Sequence, residues 1–541
     1  MLGLMQNHAL LVSSLLRHAE RNHPAVPIIS CTVEGPVLRF DYASWAERTR
    51  RLAAACRRLG AAQGDRIATL AWNTHRHLEL FFAVPGIGAV CHTINPRLFE
   101  DQIRYIVDHA QDRFVFLDSS FLELVERLAP GFPSVEAYVL MTDRAHMPAS
   151  STLPLLCYED LLAAESGELA WPELDERTAS SLCYTSGTTG NPKGVLYSHR
   201  STLLHTYAMC MPDNHALSVR DCTMPVAPMF HANAWGVPYG ACATGAKIVL
   251  PGRMIDGPSL HRLIESERVT HSVAVPTVWR MYLDYIENAQ LTTGTLRRVI
   301  IGGTAMPRDV LHRFARFGVS AQQGWGMTEM SPLGTSCVLR PELEGLDDAQ
   351  RADVLCKQGL SLFGVELRIA DDEGRELPRD GRSIGHLQVR GPWIASAYFA
   401  SDERAAWLPG GWFDTGDIAA IDGLGYVQIT DRAKDVIKSG GEWISSMEVE
   451  RLASEHPAVA EAAVIAMHDP RWDERPLLIV VRKPGATVSG EELIEFLRDR
   501  IAKWWLPDAV EFVPQMPYTA TGKISKKTLR ERFTGYQVEG R

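Results

Sequence analysis

Residues 184–194 read YTSGTTGNPKG, and nine of these eleven residues are Gly, Ser, Thr, Asn or Lys. The small and apolar run ASSLC at 179–183 precedes them. Glycines allow successive backbone N–H groups to converge on an anion, the hydroxyls add donors, and Lys193 adds a positive charge. The segment therefore predicts a phosphate-binding loop. It is not a Walker A motif, because two residues separate Gly190 from Lys193.

Strand and helix patterns alternate on both sides of this loop. Before it, helices are predicted at 44–60, 77–84, 101–110 and up to about 128, and strands at 66–72, 89–95, 113–118 and 137–142. After it, strands are predicted at 247–250, 270–275 and 296–302, and helices at 259–267 and 307–317. This alternation favours an α/β fold with parallel, doubly wound sheets.

The pattern changes past about residue 360, where short strands and turn signals favour an antiparallel segment. We expect a domain boundary at 431/432, with a body at 1–431 and a small α+β lobe at 432–541. Helices at 446–454 and 490–501 and strands at 460–467 and 477–482 are predicted in the lobe. The lobe carries 17 Lys/Arg and 17 Asp/Glu, so the net charge of −10 lies in the body, a weak indication that the lobe holds anions.

Composition excludes several classes of protein. The chain has 541 residues, 46% hydrophobic and 22% charged, which is ordinary globular usage. The net charge argues against nucleic-acid binding. The longest apolar stretch, 80–90, is interrupted by a proline and two glycines and is too short for a transmembrane helix. Ten cysteines without a C-x-x-C pair, and no signal peptide, predict reduced thiols in a cytoplasmic protein.

Further motifs have both a functional and a simpler structural interpretation. Glu329 in GWGMTE suits a hard cation such as Mg²⁺ bound to phosphate oxygens, but the same residues could form an ordinary turn. Asp417 in WFDTGD could accept ribose hydroxyls or could only cap a turn. Lys523 in TATGK, near the C-terminus, is unremarkable when taken alone. The GGT segment at 302–304 ends a predicted strand, where doubly wound sheets bind ligands.

Taken in order, YTSGTTGNPKG, GGTAMP, GWGMTE, WFDTGD, DRAKDVIKSGGEWIS and TATGKISKKTLR resemble the adenylate-forming superfamily. The resemblance runs from about residue 10 to 535. The stretches AVPGIGAVCHTINPRL and PMFHANAW resemble medium- and long-chain fatty acyl-CoA synthetases, and equally the relatives that activate 3-methylmercaptopropionate. The resemblance adds a small β-barrel to the doubly wound body and makes the C-terminal lobe mobile.

The family activity that this resemblance implies has two steps and uses ATP, Mg²⁺ and CoA. A carboxylate attacks the α-phosphate of ATP to give acyl-adenylate and pyrophosphate, and the CoA thiol then displaces AMP. The implied catalytic residues are Lys523, His231, Glu329 and Thr185, of which Thr185 and Glu329 would also position Mg²⁺. The implied ATP or AMP contacts are Thr185, Ser186, Gly187, Thr188, Thr189, Gly190, Lys193, Gly303, Thr304, Gln323, Gly324, Trp325, Thr328, Asp417, Arg432, Lys434 and Lys523. The implied acid and CoA contacts are His231, Trp235, Val275, Pro276, Lys438, Gly440, Gly441 and Trp443.

Individual roles follow from the same resemblance. Lys523 bridges the carboxylate and the α-phosphate, an electrostatic role rather than proton transfer. Lys434 is the hinge about which the lobe swings between the half-reactions. Trp235 gates the acyl tunnel, with core packing as the alternative interpretation. The family also implies a homodimer. The alternative functions are an adenylating enzyme that does not use CoA and a nucleotide-binding protein without catalysis.

Overall fold

The computed structural model describes residues 1, 3–185, 191–440, 442–518 and 524–536. Packing divides these residues into two compact units. The first contains residues 1–185, 192–366 and 390–404, and the second contains 367–389 and the chain from 405 onward. Strand–helix alternation therefore belongs to the first unit, and the segment past residue 360 belongs largely to the second.

Helices and strands alternate through the first unit. Its helices are α1 (Val12–Asn22), α2 (Tyr42–Arg58), α3 (His75–Gly86), α4 (Glu100–Ala110), α5 (Leu122–Leu128), α6 (Tyr158–Ala163), α7 (His199–Met209), α8 (Val237–Thr244), α9 (Gly257–Glu267), α10 (Pro276–Asn288), α11 (Arg308–Arg316) and α12 (Asp348–Leu355). Its strands are β1 (Pro27–Cys31), β2 (Val37–Asp41), β3 (Arg66–Leu70), β4 (Val90–Thr93), β5 (Asp112–Leu117), β6 (Ala137–Leu140), β7 (Leu155–Cys157), β8 (Ala179–Tyr184), β9 (Gly194–Ser198), β10 (Cys222–Pro225), β11 (Lys247–Leu250), β12 (His271–Ala274), β13 (Arg298–Ile301), β14 (Ser320–Gly326), β15 (Leu333–Ser336) and β16 (Leu360–Ser361).

A seven-stranded sheet has the order β7-β6-β5-β3-β4-β8-β9. Strand β3 lies between β4 and β5 and is parallel to both, so the chain winds outward from it in two directions. Only the β8–β9 pair at one edge is antiparallel. Strand β4 is buried along its whole length, as expected for a parallel sheet covered by helices on both faces.

A nine-stranded sheet has the order β16-β15-β14-β13-β12-β10-β11-β1-β2. Strand β10 is parallel to β11 on one side and to β12 on the other, so the winding direction reverses beside it. Strands β12, β13 and β14 continue the parallel arrangement. Loops that follow these strands therefore meet at one edge of the sheet, where open α/β folds bind ligands.

The second unit is built on two further sheets. Its strands are β17 (Glu366–Ala370), β18 (Ile384–Arg390), β19 (Trp407–Leu408), β20 (Trp412–Ile421), β21 (Val427–Arg432), β22 (Ile437–Ser439), β23 (Glu442–Ile444), β24 (Val459–Asp469), β25 (Asp473–Arg482) and β26 (Ala509–Phe512), and its helices are α13 (Ser446–Ala453), α14 (Gly490–Arg498) and α15 (Lys526–Arg532). Strands β17 to β21 form one five-stranded sheet, and its β18, β19 and β21 pair antiparallel with β20. The other sheet has the order β23-β22-β25-β24, with β26 parallel to β25.

The α/β fold class is confirmed, and several predicted helices and strands differ from the structure in where they begin or end. Helix α2 begins at Tyr42 rather than at residue 44, because Asp41 and Ser44 form a reciprocal capping box. Helix α3 continues past the predicted stop and includes Pro85 in its last turn. Proline removes one helical hydrogen bond and crowds the preceding turn, and the helix ends one residue later, at Gly86. No helix in the described ranges is long and apolar enough to cross a membrane.

Candidate functional site

The predicted acid and adenine residues follow neighbouring strands of the nine-stranded sheet, at the edge where its winding reverses. His231 and Trp235 lie after β10, and Val275 caps α10 after β12, with Pro276 as the first residue of that helix. Gly303 and Thr304 follow β13, and Gln323, Gly324 and Trp325 end β14. The edge predicted from the order of strands is thus the place where these residues collect.

The Gln323 side chain holds the loop after β13 against β14. Its Oε1 accepts from the Met306 N–H at 2.5 Å, and its Nε2 donates to the carbonyl oxygen of Gly324 at 3.0 Å and to that of Thr304 at 3.4 Å. Gln323 is 2% exposed, so these bonds are shielded from water. Trp325 pairs in register with Thr335 of β15.

Trp235 packs against the glycine pair that ends β13. A β-carbon built on Gly302 would lie 3.3 Å from the Trp235 indole, and one on Gly303 would lie 3.1 Å from Cγ1 of Val275. The two glycines thus bring the backbone within van der Waals contact of the predicted acid-pocket side chains. His231 is half-buried at the start of the turn that carries Trp235.

This turn has an unusual backbone conformation. Five consecutive residues, Ala232 to Gly236, have φ between +43° and +83°. A left-handed residue other than glycine is disfavoured sterically, and such strain persists only where the surroundings impose it. Asn233 supplies part of that constraint, since its Nδ2 donates to Oγ of Ser181 at 2.9 Å and its Oδ1 accepts from Sγ of Cys183 at 3.5 Å. Both partners lie on β8, which leads into the predicted phosphate loop.

The described residues at the base of the phosphate loop are paired across it. The Thr185 N–H donates to the Lys193 carbonyl oxygen at 3.0 Å, and the Lys193 N–H donates to Oγ1 of Thr185 at 3.1 Å. The Lys193 ammonium lies 4.9 Å from the centroid of the Tyr398 ring and pairs with Glu403. The tip residues Ser186, Gly187, Thr188, Thr189 and Gly190 lie outside the described residues.

Glu329 is 5% exposed and is linked to this loop base through Tyr398, the ring against which Lys193 lies. Its Oε1 accepts from the Tyr398 hydroxyl at 2.8 Å. Burial, together with the Glu329 carboxylate, raises the pKa of the Tyr398 phenol, so the phenol stays protonated and donates. Thr328 is held by its carbonyl oxygen, which accepts from the Tyr197 hydroxyl at 2.6 Å.

The donor set fits a magnesium ion carried by a nucleotide. Mg²⁺ in nucleotide sites takes one or two carboxylates, substrate phosphates and waters rather than a cage of protein ligands. Glu329 supplies one buried carboxylate and Thr185 one hydroxyl, both oxygen donors. Among the described residues, no three His, Cys, Asp or Glu side chains form a cluster that could hold a metal by themselves.

In the second unit, Asp417 and Arg432 face each other across β20 and β21. They are paired in register, and the Arg432 Nε lies 2.8 Å from Oδ1 of Asp417. Asp417 is 2% exposed, whereas the Arg432 side chain is 42% exposed. Such a pair fixes a buried carboxylate and leaves a cation open to a phosphate.

The remaining predicted residues of the second unit that the structure describes lie on β22 and β23 or in the segments next to them. Lys434 lies between β21 and β22 and is exposed, and partial desolvation lowers the pKa of its ammonium group. The Lys438 ammonium lies 5.6 Å from the centroid of the Trp443 ring, its partner in the strand register. Gly440 has φ +60°, and a β-carbon there would lie 2.8 Å from the Trp472 indole. Gly441 and Lys523 lie outside the described residues.

The sequence matches the family described as "AMP-binding enzyme" over residues 16–399, and "AMP-binding enzyme C-terminal domain" over 448–523. The first match alone spans more than half of the chain. The chain belongs to the AMP-binding enzyme family. The predicted membership of the adenylate-forming superfamily is therefore confirmed.

Three relatives of this AMP-binding enzyme match it over nearly its whole length. A medium-chain-fatty-acid–CoA ligase from Ectopseudomonas oleovorans is 47% identical, covering 98% of both chains. A 3-methylmercaptopropionyl-CoA ligase from Ruegeria pomeroyi is 48% identical, covering 98% of this chain and 99% of the relative. A long-chain-fatty-acid–CoA ligase from Thermus thermophilus is 46% identical, covering 94% and 93%.

Solved structures agree with the fold of this AMP-binding enzyme. An anthranilate CoA ligase in complex with anthranoyl-AMP superposes with a TM-score of 0.83 at 24% identity, covering 98% of both chains. ATP-bound MatB from Rhodopseudomonas palustris superposes with a TM-score of 0.81 at 25% identity, covering 97% of this chain and 99% of that one.

The predicted site residues of this AMP-binding enzyme collect in three groups in the first unit and in pairs in the second. The first-unit groups are Trp235 with Val275 and Gly303, Gln323 with Thr304 and Gly324, and Thr185 with Lys193 and Glu329. Sequence reasoning missed Tyr398, which binds Glu329, Tyr197, which binds Thr328, and Asn233, which anchors the turn that carries Trp235 to β8. Tyr398 stands in the unremarkable run ASAYFA, so no local signal could have revealed its bond to a residue 69 positions away.

Proposed function

We propose that this AMP-binding enzyme ligates a medium- to long-chain fatty acid to CoA, with ATP cleaved to AMP and pyrophosphate. It is an acid–thiol ligase of the same class as its relatives. The observation that supports the fatty acid is the identity of 46–47% to medium- and long-chain fatty acid ligases over at least 93% of both chains.

The proposed first half-reaction joins two anions. A carboxylate oxygen attacks the α-phosphorus of ATP, and the bond from that phosphorus to the bridging oxygen of pyrophosphate breaks. Lys193 and the loop N–H groups of 186–190 would hold the β- and γ-phosphates, and Thr328 would contact the α-phosphate. Lys523 would stabilise the charge that develops between carboxylate and phosphate, where fixed donors act most strongly. The Tyr398 hydroxyl and the Lys193 ammonium preset the positions of Glu329 and the loop base.

The proposed metal is Mg²⁺, held by the Glu329 carboxylate and the Thr185 hydroxyl together with nucleotide phosphates. When bound, it would neutralise phosphate charge. Burial of Glu329 and its hydrogen bond from Tyr398 hold the carboxylate in one orientation. A fixed carboxylate suits Mg²⁺, because this ion requires its oxygen ligands in a strict arrangement.

The second half-reaction would use other residues. The CoA thiol attacks the acyl carbonyl, the bond to AMP breaks, and AMP leaves with its phosphate oxygen. Lys438, Gly440, Gly441 and Trp443 would approach the pantetheine arm, and Asp417 and Arg432 would hold the ribose and phosphate. In this proposal residues 432–541 form a lobe that pivots at Lys434 between the two half-reactions.

The acid would bind near the switch point of the nine-stranded sheet. Trp235 lies against Gly302, and Val275 lies against Gly303. Apolar side chains and the backbone of two glycines therefore lie next to each other here. Apolar lining with few polar groups is usual where a hydrophobic ligand binds. His231 would mark the mouth of this pocket, and Pro276 would border it.

The test is the initial rate of AMP formation with ATP, Mg²⁺ and CoA across 3-methylmercaptopropionate, propionate, octanoate and palmitate. We expect kcat/KM to rise from propionate through octanoate and to stay high at palmitate. Omission of CoA should leave pyrophosphate release and abolish thioester formation. A rate that peaks at the short acids and collapses at octanoate would contradict the fatty acid proposal.

A second candidate substrate is 3-methylmercaptopropionate. It is favoured by the 48% identity to the ligase for that acid over 98% of this chain, a value level with those for the fatty acid ligases. The same panel decides between them, because the thioether acid has only a short chain to bury. The predicted homodimer and cytoplasmic location stay predictions, and light scattering of the purified chain would test the former.

A further inference from the structure

Asn73 is a buried amide that binds the segment leading to His231. It lies three residues beyond β3 in the seven-stranded sheet and is 4% exposed. Its Nδ2 donates to the carbonyl oxygens of Pro225 at 2.8 Å and of Ala227 at 3.0 Å, and its Oδ1 accepts from the Met229 N–H at 2.7 Å. One side chain therefore makes three hydrogen bonds to a five-residue stretch more than 150 residues away.

The position of Asn73 itself is fixed. Its carbonyl oxygen accepts from the Gly252 N–H at 3.0 Å. Gly252 has φ +62°, and a β-carbon there would lie 2.5 Å from the Cys31 carbonyl oxygen, so only glycine fits. The next residue, Thr74, is the N-cap of α3. The backbone of Asn73 is thus fixed between the two sheets, independently of the side-chain bonds to residues 225–229.

The other hydrogen bonds of residues 225–229 show what Asn73 contributes. The N–H groups of Val226 and Ala227 both donate to the Val273 carbonyl oxygen, at 3.1 and 2.8 Å. Strand β12 therefore accepts from Val226 and Ala227, whereas the Asn73 amide donates to the carbonyls of Pro225 and Ala227 and accepts from the Met229 N–H. A buried carbonyl or N–H without a partner costs about 1–3 kcal/mol, so loss of Asn73 would force this backbone to rearrange.

The rearrangement would reach the proposed acid pocket. Pro228 lies between two residues that Asn73 binds, and its carbonyl oxygen accepts from the N–H groups of His231 at 3.0 Å and Ala234 at 3.2 Å. These two bonds start the left-handed turn that ends in Trp235 and Gly236. A shift at Pro228 therefore moves His231 and Trp235 together.

We propose that Asn73 is a positioning residue that sets the chain-length selectivity of this enzyme by fixing the backbone that carries His231 and Trp235. This inference rests on the proposed function, since it assumes that both residues border the acid. Asn73 itself need not touch the substrate. An amide suits the task because it alone among small neutral side chains offers two donors and an acceptor on one rigid plane.

The test compares Asn73→Asp and Asn73→Ala with the wild type in competition between octanoate and palmitate. The carboxylate of Asn73→Asp keeps the acceptor for Met229 but repels the carbonyls of Pro225 and Ala227. We expect the ratio of the two kcat/KM values to change by about tenfold, a size typical of sub-ångström misplacement. This ratio does not depend on the fraction of folded enzyme, so a purely structural defect leaves it unchanged. Should Asn73→Asp not fold, Asn73→Ser carries the same measurement, because its hydroxyl can still donate to one carbonyl.

Tyr42→Phe is the matched control. The Tyr42 hydroxyl is fully buried and donates to the Ala246 carbonyl oxygen at 2.7 Å, before the start of β11 and so at the opposite edge of the nine-stranded sheet. Its loss should reduce stability without changing the selectivity ratio. An unchanged ratio in the Asn73 variants, alongside reduced total activity, would overturn the inference. Absence of acyl-CoA from every acid with wild-type enzyme would instead overturn the proposed function.

Discussion

The turn at residues 225–236 in the first unit and the start of helix α13 in the second are both held by buried side chains, but only the second uses charges. In the turn, Asn73 and Asn233 bind backbone, hydroxyl and thiol groups. At α13, the Asp431 carboxylate accepts from the N–H of Ser446 at 2.5 Å and from its hydroxyl at 2.6 Å. The Lys526 ammonium donates to that hydroxyl at 2.6 Å.

The charged cluster of the second unit, Asp431, Ser446, Glu450 and Lys526, is nearly closed to water. Asp431 is fully buried, and Lys526 lies 2.7 Å from Oε1 of Glu450, with side chains 13% and 19% exposed. Burial raises the pKa of Asp431 and of Glu450, while Lys526 opposes both shifts. Burial lowers the pKa of Lys526, but its two carboxylate neighbours more than offset this, so the pKa stands above its ordinary value.

The two regions differ in how strongly their stability depends on every partner being present. Neutral amide bonds tolerate a change of pH, whereas a buried charge that loses its partner is strongly destabilising. The cluster also spans the proposed hinge, since Asp431 precedes Lys434 and the other three members follow it. The turn carries His231 and Trp235, which we propose border the acid, and the cluster connects elements on both sides of Lys434.

The largest expected effect is the loss of catalytic rate when Lys523 is replaced. In the mechanism that we propose, Lys523→Ala should lower the rate of acyl-adenylate formation by roughly 10³-fold or more, because the variant lacks the positive charge that would stabilise the two reacting anions. Thioester formation from supplied acyl-adenylate and CoA should be nearly unchanged. Rapid-quench assays of the two half-reactions measure both. Lys527→Ala is the control, since Lys527 is 59% exposed and lies 3.9 Å from Glu531. Equal loss in both half-reactions would contradict the assigned role.

The next effect tests the charged cluster itself. Lys526→Met should destabilise the second unit by about 3–5 kcal/mol, because Glu450 and Asp431 remain buried without their cation. Calorimetry should show a lower transition temperature for the second unit, while the transition of the first unit, which contains the turn at 225–236, stays unchanged.

A double variant tests whether the lost stability comes from the unpaired buried charges. Lys526→Met with Glu450→Gln removes one charge of each sign and should recover part of the lost stability. Lys527→Met, one residue further on, should change stability by no more than about 0.5 kcal/mol, as usual for an exposed side chain. A Lys526→Met protein as stable as wild type would show that the cluster contributes no net stability.

Sequence patterns predicted the scaffold of both regions but not the side chains that fix them. Apolar runs and helical periodicity located β3, β12 and α13, because burial of one face leaves a local signal. The glycine-rich loop and Glu329 carried chemical meaning in their residue types. Asn73 and Lys526 lack such a signal: Asn73 bonds residues more than 150 positions away, and Lys526 bonds a residue 80 positions away. Only the folded backbone brings these partners together.

A third prediction concerns pH in the first unit. Asp118 is 1% exposed, its Oδ2 accepts from the Trp72 N–H at 2.7 Å, and burial raises its pKa from 3.8 to about 7. Between these values the folded protein binds more protons than the unfolded chain, so stability falls as the pH rises. Asp118→Asn removes this loss, at most about 4 kcal/mol, while its amide oxygen can still accept from Trp72.

The measurement is the transition temperature of Asp118→Asn relative to wild type from pH 4.5 to pH 8. The difference should be smallest at pH 4.5, increase in favour of the variant up to about pH 7, and then level off. Asp175→Asn serves as the control, because Asp175 is exposed and its pKa is lowered to about 2 by Arg177. A difference that stays constant over the whole range would show that Asp118 does not titrate there.

The smallest effect tests the neutral character of the turn. Asn233→Ala loses the bonds to Ser181 and Cys183 and places alanine at φ +54°, so we expect a loss of about 1–2 kcal/mol. Asn233→Gly loses the same bonds but adopts that backbone freely, so the difference between the two variants measures the strain at alanine less the larger conformational entropy of glycine in the unfolded chain. Because no group in these bonds titrates near neutrality, the loss should be the same at pH 6 and pH 8 in thermal unfolding. A loss that varies with pH would show that an ionisable group, such as His231 in the same turn, is coupled to these bonds, and it would remove the contrast with the charged cluster around Lys526.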